Sequence, residues 1–150
     1  MAFNWDEQYK KEWRELGFYY EYSDELNSWI ITTSLNGLTN LVEIILNYTG
    51  NPDNNEISEH CHIGPHAYFK IITWYNAEIK KDGIYGTIKD LEKLAGLIRR
   101  YSNGEVPTNS VVIDKEYSDR NTATLKLVII NDPKFDPSAL DLSKRYRQSN

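Results

Sequence analysis

The first apolar pattern along the chain has the period of an α-helix. Between residues 4 and 16, large aromatic side chains recur every four positions, at Trp5, Tyr9 and Trp13. Side chains four residues apart lie on one face of a helix, so this spacing predicts an amphipathic helix over 4–16. Asn4 is a suitable N-cap for this helix, and Gly17 is a suitable residue to end it.

Two later segments have the same period. The apolar residues of 38–48 are spaced as in a helix, although the largely apolar run 41–46 is also compatible with a strand. A third helix is predicted to begin at Thr87, because Asp90 stands at capping-box distance from it. Asn103 and the glycine after it end this helix.

Other segments have the composition of β-strands. They are 18–22, 29–34, 68–75, 110–116 and 122–130. The segment 68–75 is apolar on both faces, which predicts a central strand, and the polar stretch 76–86 is predicted to form turns. Together the elements predict an α+β fold in the order α-ββ-α-β-α-ββ. We expect a mostly antiparallel or mixed sheet of about five strands with helices packed on it.

The length of the chain, 150 residues, fits one domain with a substantial core. We expect a single α+β domain over residues 1–130. Asp132-Pro133 and Asp136-Pro137 interrupt regular structure, and the residues after them are polar. The segment 131–150 is therefore predicted to be a loosely held C-terminal tail.

Composition and charge narrow the class of protein. The net charge is −5 and the basic residues are scattered, which argues against nucleic-acid binding. A single cysteine cannot form an internal disulfide and favours a reducing compartment. The N-terminus lacks the apolar core of a signal peptide, and no apolar run approaches the length of a membrane span. We expect a cytoplasmic protein that does not contact membranes.

The chemically unusual segment is Glu59-His60-Cys61-His62, which His66 follows after a Gly-Pro bend. Imidazole is a common zinc ligand, and His60 and His62 point to the same side of an extended chain. His66 completes a candidate zinc set of His60, His62 and His66, with no other cofactor expected. The alternative is that these histidines bond the loop backbone, because structural zinc sites usually have four ligands at paired spacings.

No segment carries a complete catalytic signature, so we assign no catalytic residue. A Cys61–histidine nucleophile pair lacks any recognised local pattern, and the glycines before Thr87 match no phosphate-binding loop. Trp74 is either a core anchor or a half-exposed contact for a partner. The candidate binding residues are Glu59, His60, His62, His66, Tyr68 and Trp74.

The middle of the chain also carries a compact composite pattern. It consists of Glu59-His60-x-His62-x-Gly64-Pro65, then Tyr68-Phe69-Lys70-Ile71-x-Thr73-Trp74, then Gly86-Thr87-x-x-Asp90-Leu91. This pattern resembles small bacterial proteins of unknown function and immunity proteins of polymorphic toxin systems. The second resemblance implies a non-enzymatic inhibitor that binds a cognate toxin.

Three functions follow from these observations. The leading hypothesis is a small binding protein without catalytic turnover, an immunity-type inhibitor whose partner is a protein such as a toxin. Its acidic charge would speed association with a basic partner. The second hypothesis is a zinc-type enzyme or sensor at His60, His62 and His66. The third is a structural domain that forms homo-oligomers through an apolar sheet face.

Overall fold

The computed structural model describes residues 4–141. This part of the chain has three α-helices: α1 (Trp5–Leu16), α2 (Leu35–Thr49) and α3 (Ile88–Ser102). Two short 3-10 helices cover Pro52–Asn55 and Pro137–Leu140. Within residues 4–141, no helix combines the length and apolar character needed to cross a membrane.

The same residues form eight strands in two sheets. The strands are β1 (Phe18–Ser23), β2 (Ser28–Thr33), β3 (His60–Ile63), β4 (Phe69–Thr73), β5 (Glu78–Lys80), β6 (Gly83–Gly86), β7 (Ser110–Ile113) and β8 (Thr124–Ile129). The first sheet has the order β1-β2-β8-β7, and the second has the order β3-β4-β6-β5. In each sheet, two antiparallel pairs are joined by a central parallel pair, β2 with β8 or β4 with β6.

The α+β class predicted from the sequence is confirmed, and β4 is a central strand as expected. The sheet arrangement differs from the prediction, because two mixed sheets of four strands replace one sheet of about five. The strands missed are β3, β5 and β6, and the last two lie within the stretch predicted to form turns. Each has only three or four residues. Segments this short show no clear period, and their neighbours in the sheet determine their conformation.

The helix ends follow the predicted capping. The Asn4 side chain accepts a hydrogen bond from the Glu7 amide, and Gly17 ends α1 in the left-handed conformation with φ 84°. Thr87 and Asp90 form a reciprocal capping box at the start of α3. The second helix begins earlier than predicted, because Ser34 caps it by accepting a hydrogen bond from the Gly37 amide at 3.1 Å.

One continuous core joins both sheets and the helices. The inner faces of the two sheets meet at an aromatic cluster, where the Phe69 ring lies 4.7 Å from Trp29 and 5.6 Å from Tyr20. The Trp29 indole also donates a 2.8 Å hydrogen bond to the Lys80 carbonyl, which ties the first sheet to the second. The two sheets therefore pack as one unit, with α2 packed against α3.

The segment predicted to be a loose tail, 131–150, is described as far as Asp141. Within that part, the 3-10 helix Pro137–Leu140 packs against α1 and β1. Ser138 and Asp141 are buried, at 2% and 5% exposure. The remainder of the predicted tail lies outside the described residues.

Candidate functional site

The structure divides the histidine segment between two surfaces. His60 and His62 lie on the solvent-facing side of β3, with ring centroids 5.1 Å apart. His66 lies in the loop after β3, where its Nε2 is 2.9 Å from the Asp141 carboxylate. Its ring is packed between other aromatic rings, 4.7 Å from Tyr9 and 5.6 Å from Tyr68.

Both imidazoles on β3 are held by backbone carbonyls. His60 Nδ1 is 3.1 Å from the Ser58 carbonyl, and His62 Nδ1 is 2.9 Å from the Ala67 carbonyl. A carbonyl oxygen only accepts, so Nδ1 is the donor in each bond. Ser58 and Ala67 have the positive φ angles of 72° and 57°, which non-glycine residues rarely adopt. The chain therefore adopts two uncommon backbone conformations where it fixes these rings.

Among residues 4–141, no group of three or more His, Cys, Asp or Glu side chains is placed to hold a metal ion. The three histidines form an adjacent pair and a separate residue. The predicted set of three zinc ligands is thus not assembled within this part of the chain.

Glu59 acts through its backbone, which fixes the start of β3. The Tyr48 hydroxyl donates to the Glu59 carbonyl at 2.7 Å and lies 2.8 Å from the Thr73 hydroxyl. The Thr73 amide donates to the same carbonyl at 2.8 Å. These bonds attach α2 and β4 to the residue just before His60, so the position of β3 is well determined.

A groove lies beside β1, which is an edge strand of the first sheet. It has a volume of about 490 Å³, and we call it the β1 groove. Its lining residues are Trp13, Tyr19, Tyr20, Glu21, Tyr22, Asp24, Trp29, His66, Tyr68, Lys81 and Asp141. Aromatic rings make most of its walls, and its volume is in the range of sites that hold a ligand or a partner's side chains.

The rim of the β1 groove is charged and already holds an ammonium group. Lys81 Nζ lies 2.7 Å from the Asp24 carboxylate and 5.6 Å from the centroid of the Tyr22 ring. Glu21 adds a second exposed carboxylate. The rim thus combines carboxylates with a ring face, and both attract a cation.

The inner end of the groove is a buried polar cluster. The Asp141 carboxylate accepts a 2.9 Å hydrogen bond from the Trp13 indole and lies at the same distance from His66 Nε2. The side chains of His66 and Asp141 are 13% and 7% exposed. This cluster fixes the loop that carries Tyr68 to α1 and to the C-terminal end of the described chain.

The ring of Tyr20 packs against that loop. Its hydroxyl is buried and has no hydrogen-bond partner among residues 4–141. Burial raises the pKa of Tyr20 to about 12. Gly64 has a φ of 81°, and a Cβ there would lie 2.5 Å from the Tyr20 ring. Glycine is therefore required where the loop crosses this ring.

Tyr68 and Trp74 lie on different surfaces. Tyr68 is 69% exposed at the rim of the β1 groove. Trp74 is 37% exposed on the outside of the second sheet, where its ring contacts Tyr75 and Tyr85. Trp74 is therefore half-exposed rather than a core anchor. His66 and Tyr68 are the two predicted binding residues that line the groove.

Cys61 faces the core from β3, between the two outward-facing histidines. Burial raises the pKa of its thiol, which opposes formation of the reactive thiolate. The surroundings of Cys61 are those of a structural cysteine.

Several groove residues were not singled out from the sequence. Tyr19 and Tyr22 were interpreted only as strand residues, and Lys81 only as a turn residue. Asp24 lies between two predicted strands and was not interpreted as a site residue. Asp141 is 75 residues away from His66, and nothing local connects the two. The one available signal was the high aromatic content of 18–22, which indicates a strand and a binding face equally well.

Comparison with protein-family models, with curated proteins and with solved structures finds no match to this chain. Its function is therefore inferred from the chemistry of the β1 groove and of the histidine pair.

Proposed function

We propose that this protein is a binding domain without catalytic turnover, and that it acts as an immunity-type inhibitor of a toxin. The β1 groove is its contact site for the protein partner. The observation that carries the proposal is the groove itself, an aromatic cleft of about 490 Å³ with a charged rim.

The residue types of the groove are those that contribute most to protein–protein affinity. Tyr and Trp bury large areas, keep a polar group for hydrogen bonding and lose little side-chain entropy on binding. Tyr68 exposes 69% of its surface at the rim, while its ring stacks on His66 at an interplanar angle of 18°. An exposed aromatic ring that is already oriented is well suited to anchor a partner.

The charges of the rim favour a basic partner. Glu21 and Asp24 are carboxylates, and Lys81 is the cation that the rim residues contribute. The Lys81–Asp24 ion pair is open to solvent, with the two side chains 70% and 79% exposed, so it contributes little to stability. A lysine or arginine of the partner can replace Lys81 on Asp24 at small cost.

The net charge of the whole chain also favours a basic partner. A net charge of −5 attracts a basic protein at long range and raises its association rate, an effect that salt weakens. Fast association is useful to an inhibitor that must bind a toxin before the toxin acts.

The experiment is site-specific photocrosslinking in an extract of the native host. A photoreactive phenylalanine analogue replaces Tyr68 in one variant and Tyr75 in the other, since these side chains have nearly equal exposure, 69% and 67%. We expect one protein to crosslink to position 68 and not to position 75. That protein, once purified, should lose its toxic activity when the wild-type chain is added. Equal crosslinking at both positions, or an unaffected activity of the crosslinked protein, would refute the proposal.

A further inference from the structure

The outer side of β3 carries a second feature of the surface, separate from the β1 groove. We propose that His60 and His62 form half of a zinc site, and that a second copy of this chain supplies the other half. Two copies related by a twofold axis would bind one zinc ion through four imidazoles.

The first support is the hydrogen bonding of the two rings. Each Nδ1 donates its proton to a backbone carbonyl, at 3.1 Å for His60 and 2.9 Å for His62. In a neutral imidazole with the proton on Nδ1, the Nε2 atom carries the lone pair. Metal-bound histidines have this same arrangement, with one nitrogen on the metal and the other donating to a carbonyl or carboxylate.

The second support is the spacing of the rings. Two imidazoles bound to one tetrahedral zinc, at a Zn–N distance of about 2.0 Å, place their ring centroids about 5 Å apart. The centroids of His60 and His62 are 5.1 Å apart, with an interplanar angle of 80°. Alternation along β3 places both rings on the same side, and both residues are exposed. The pair therefore has the separation that a shared zinc ion requires.

The third support is the backbone that holds the rings. The carbonyls of Ser58 and Ala67 belong to residues with φ angles of 72° and 57°. Positive φ costs free energy for non-glycine residues and persists only where other contacts impose it. Here both conformations present a carbonyl to an imidazole. Preorganised rings lose less entropy when they bind a metal.

A second copy is the source of the other ligands because of where the pair lies. A structural zinc ion takes four ligands, and residues 4–141 assemble no set of three. The strand β3 is the first strand of its sheet and pairs with β4. Among residues 4–141 no other strand pairs with its outer edge, so an equivalent β3 can approach there.

The charges around the pair set the direction of approach. Across the sheet, His60 is paired with the apolar Ile72 and His62 with Lys70. The Lys70 ammonium repels a bound cation on the β4 side of His62. The outer edge of β3, away from Lys70, is the side on which zinc and the second copy are accommodated.

The test is zinc titration of the full chain carrying no histidine tag, with metal binding followed by calorimetry and mass followed by light scattering. We expect one zinc per two chains, and conversion from monomer to dimer that EDTA reverses. His60→Ala and His62→Ala should each lower zinc affinity by more than about tenfold and abolish the dimer. Both side chains and their hydrogen bonds are exposed, so thermal unfolding without zinc should change little.

Cys61→Ala is the matched control, since it lies between the two histidines and faces the core. It should bind zinc and dimerise as the wild type does. Three results would overturn the proposal: no zinc binding at micromolar concentrations, one zinc per monomeric chain, or loss of zinc binding in Cys61→Ala with the fold retained.

Discussion

The indole nitrogen of Trp13 donates a 2.9 Å hydrogen bond to the carboxylate of Asp141, which lies 128 residues further along the chain. Both residues are almost fully buried, at 1% and 5% exposure. Through this bond, the C-terminal end of the described chain closes the inner end of the β1 groove. The contact connects the stability of the fold with the shape of the proposed binding site.

The Trp13–Asp141 hydrogen bond should contribute more to the free energy of unfolding than an equivalent bond to a neutral acceptor. Trp29 is a matched comparison, because it is equally buried and its indole donates to the Lys80 carbonyl at 2.8 Å. Hydrogen bonds to charged groups contribute about 1.5–3 kcal/mol, compared with about 1 kcal/mol for neutral pairs. In urea unfolding, Trp13→Phe should therefore lower the free energy of unfolding by more than Trp29→Phe does. Equal losses would mean that Asp141 does not act as a charged acceptor.

The hydroxyl of Tyr20 should destabilise the protein. It is buried without a partner among residues 4–141, and an unsatisfied buried hydroxyl costs about 1–3 kcal/mol. Tyr20→Phe should consequently leave stability unchanged or raise it by about 1 kcal/mol. Tyr117→Phe is the control, because its buried hydroxyl donates a 2.7 Å hydrogen bond to the Tyr85 carbonyl and its loss should be destabilising. If both variants lose stability equally in urea unfolding, Tyr20 has a partner in solution.

Cys61 should react slowly with thiol reagents. Burial raises the pKa of its thiol, so little thiolate forms near neutral pH, and the core restricts access. We expect alkylation by iodoacetamide at pH 8 to be at least about tenfold slower in the folded protein than in urea. The alkylation rate should keep rising as the pH passes the ordinary pKa of cysteine, about 8.5. A rate that levels off below pH 7 would instead identify an activated nucleophile.

The ion pair between Arg14 and Asp136 should give a small, acid-sensitive contribution to stability. The Arg14 guanidinium bonds the Asp136 carboxylate and lowers its pKa, with distances of 3.0 to 3.3 Å. Because the folded-state pKa lies below the unfolded one, the contribution is present above about pH 4. It is lost as the pH falls through the lowered value.

The measurement for this pair is the melting temperature of wild type and Arg14→Gln between pH 7 and pH 2. The melting temperature of the wild type minus that of Arg14→Gln should be constant down to about pH 5 and should then decrease. Lys11→Gln on the same helix is the control, because Lys11 and Glu15 are exposed and 3.9 Å apart. A difference for Arg14→Gln that persists at the lowest pH would contradict the assignment.

The sequence predicted the elements that carry strong local signals. The helical spacing of Trp5, Tyr9 and Trp13 and the capping box at Thr87 and Asp90 identify α1 and α3, because these preferences act within a few residues. The missed strands β3, β5 and β6 carry no such signal. Their conformation depends on sheet partners that are distant in sequence, so the division into two sheets was not predictable from local pattern.

The candidate site shows the same division between local and distant signals. His60 and His62 lie on one side of an extended strand, as alternation predicts. His66 was grouped with them because it is close in sequence. Its partner is instead Asp141, and contacts with α1 rather than with β3 determine its position. A sequence does not show which of two surfaces a loop residue faces when the deciding partner is 75 residues away.

The central claim is that the β1 groove binds a protein partner through Tyr68. The most direct measurement is the affinity of the crosslinked partner, once purified, for the wild type, Tyr68→Ala and Tyr75→Ala. Both substitutions remove equally exposed tyrosines, 69% and 67%, so their effects on folding should be similar and small. We predict that Tyr68→Ala weakens binding by about thirtyfold, as for a central anchor residue, and that Tyr75→Ala binds as the wild type does. Equal affinity of all three proteins, or a loss confined to Tyr75→Ala, would contradict the claim.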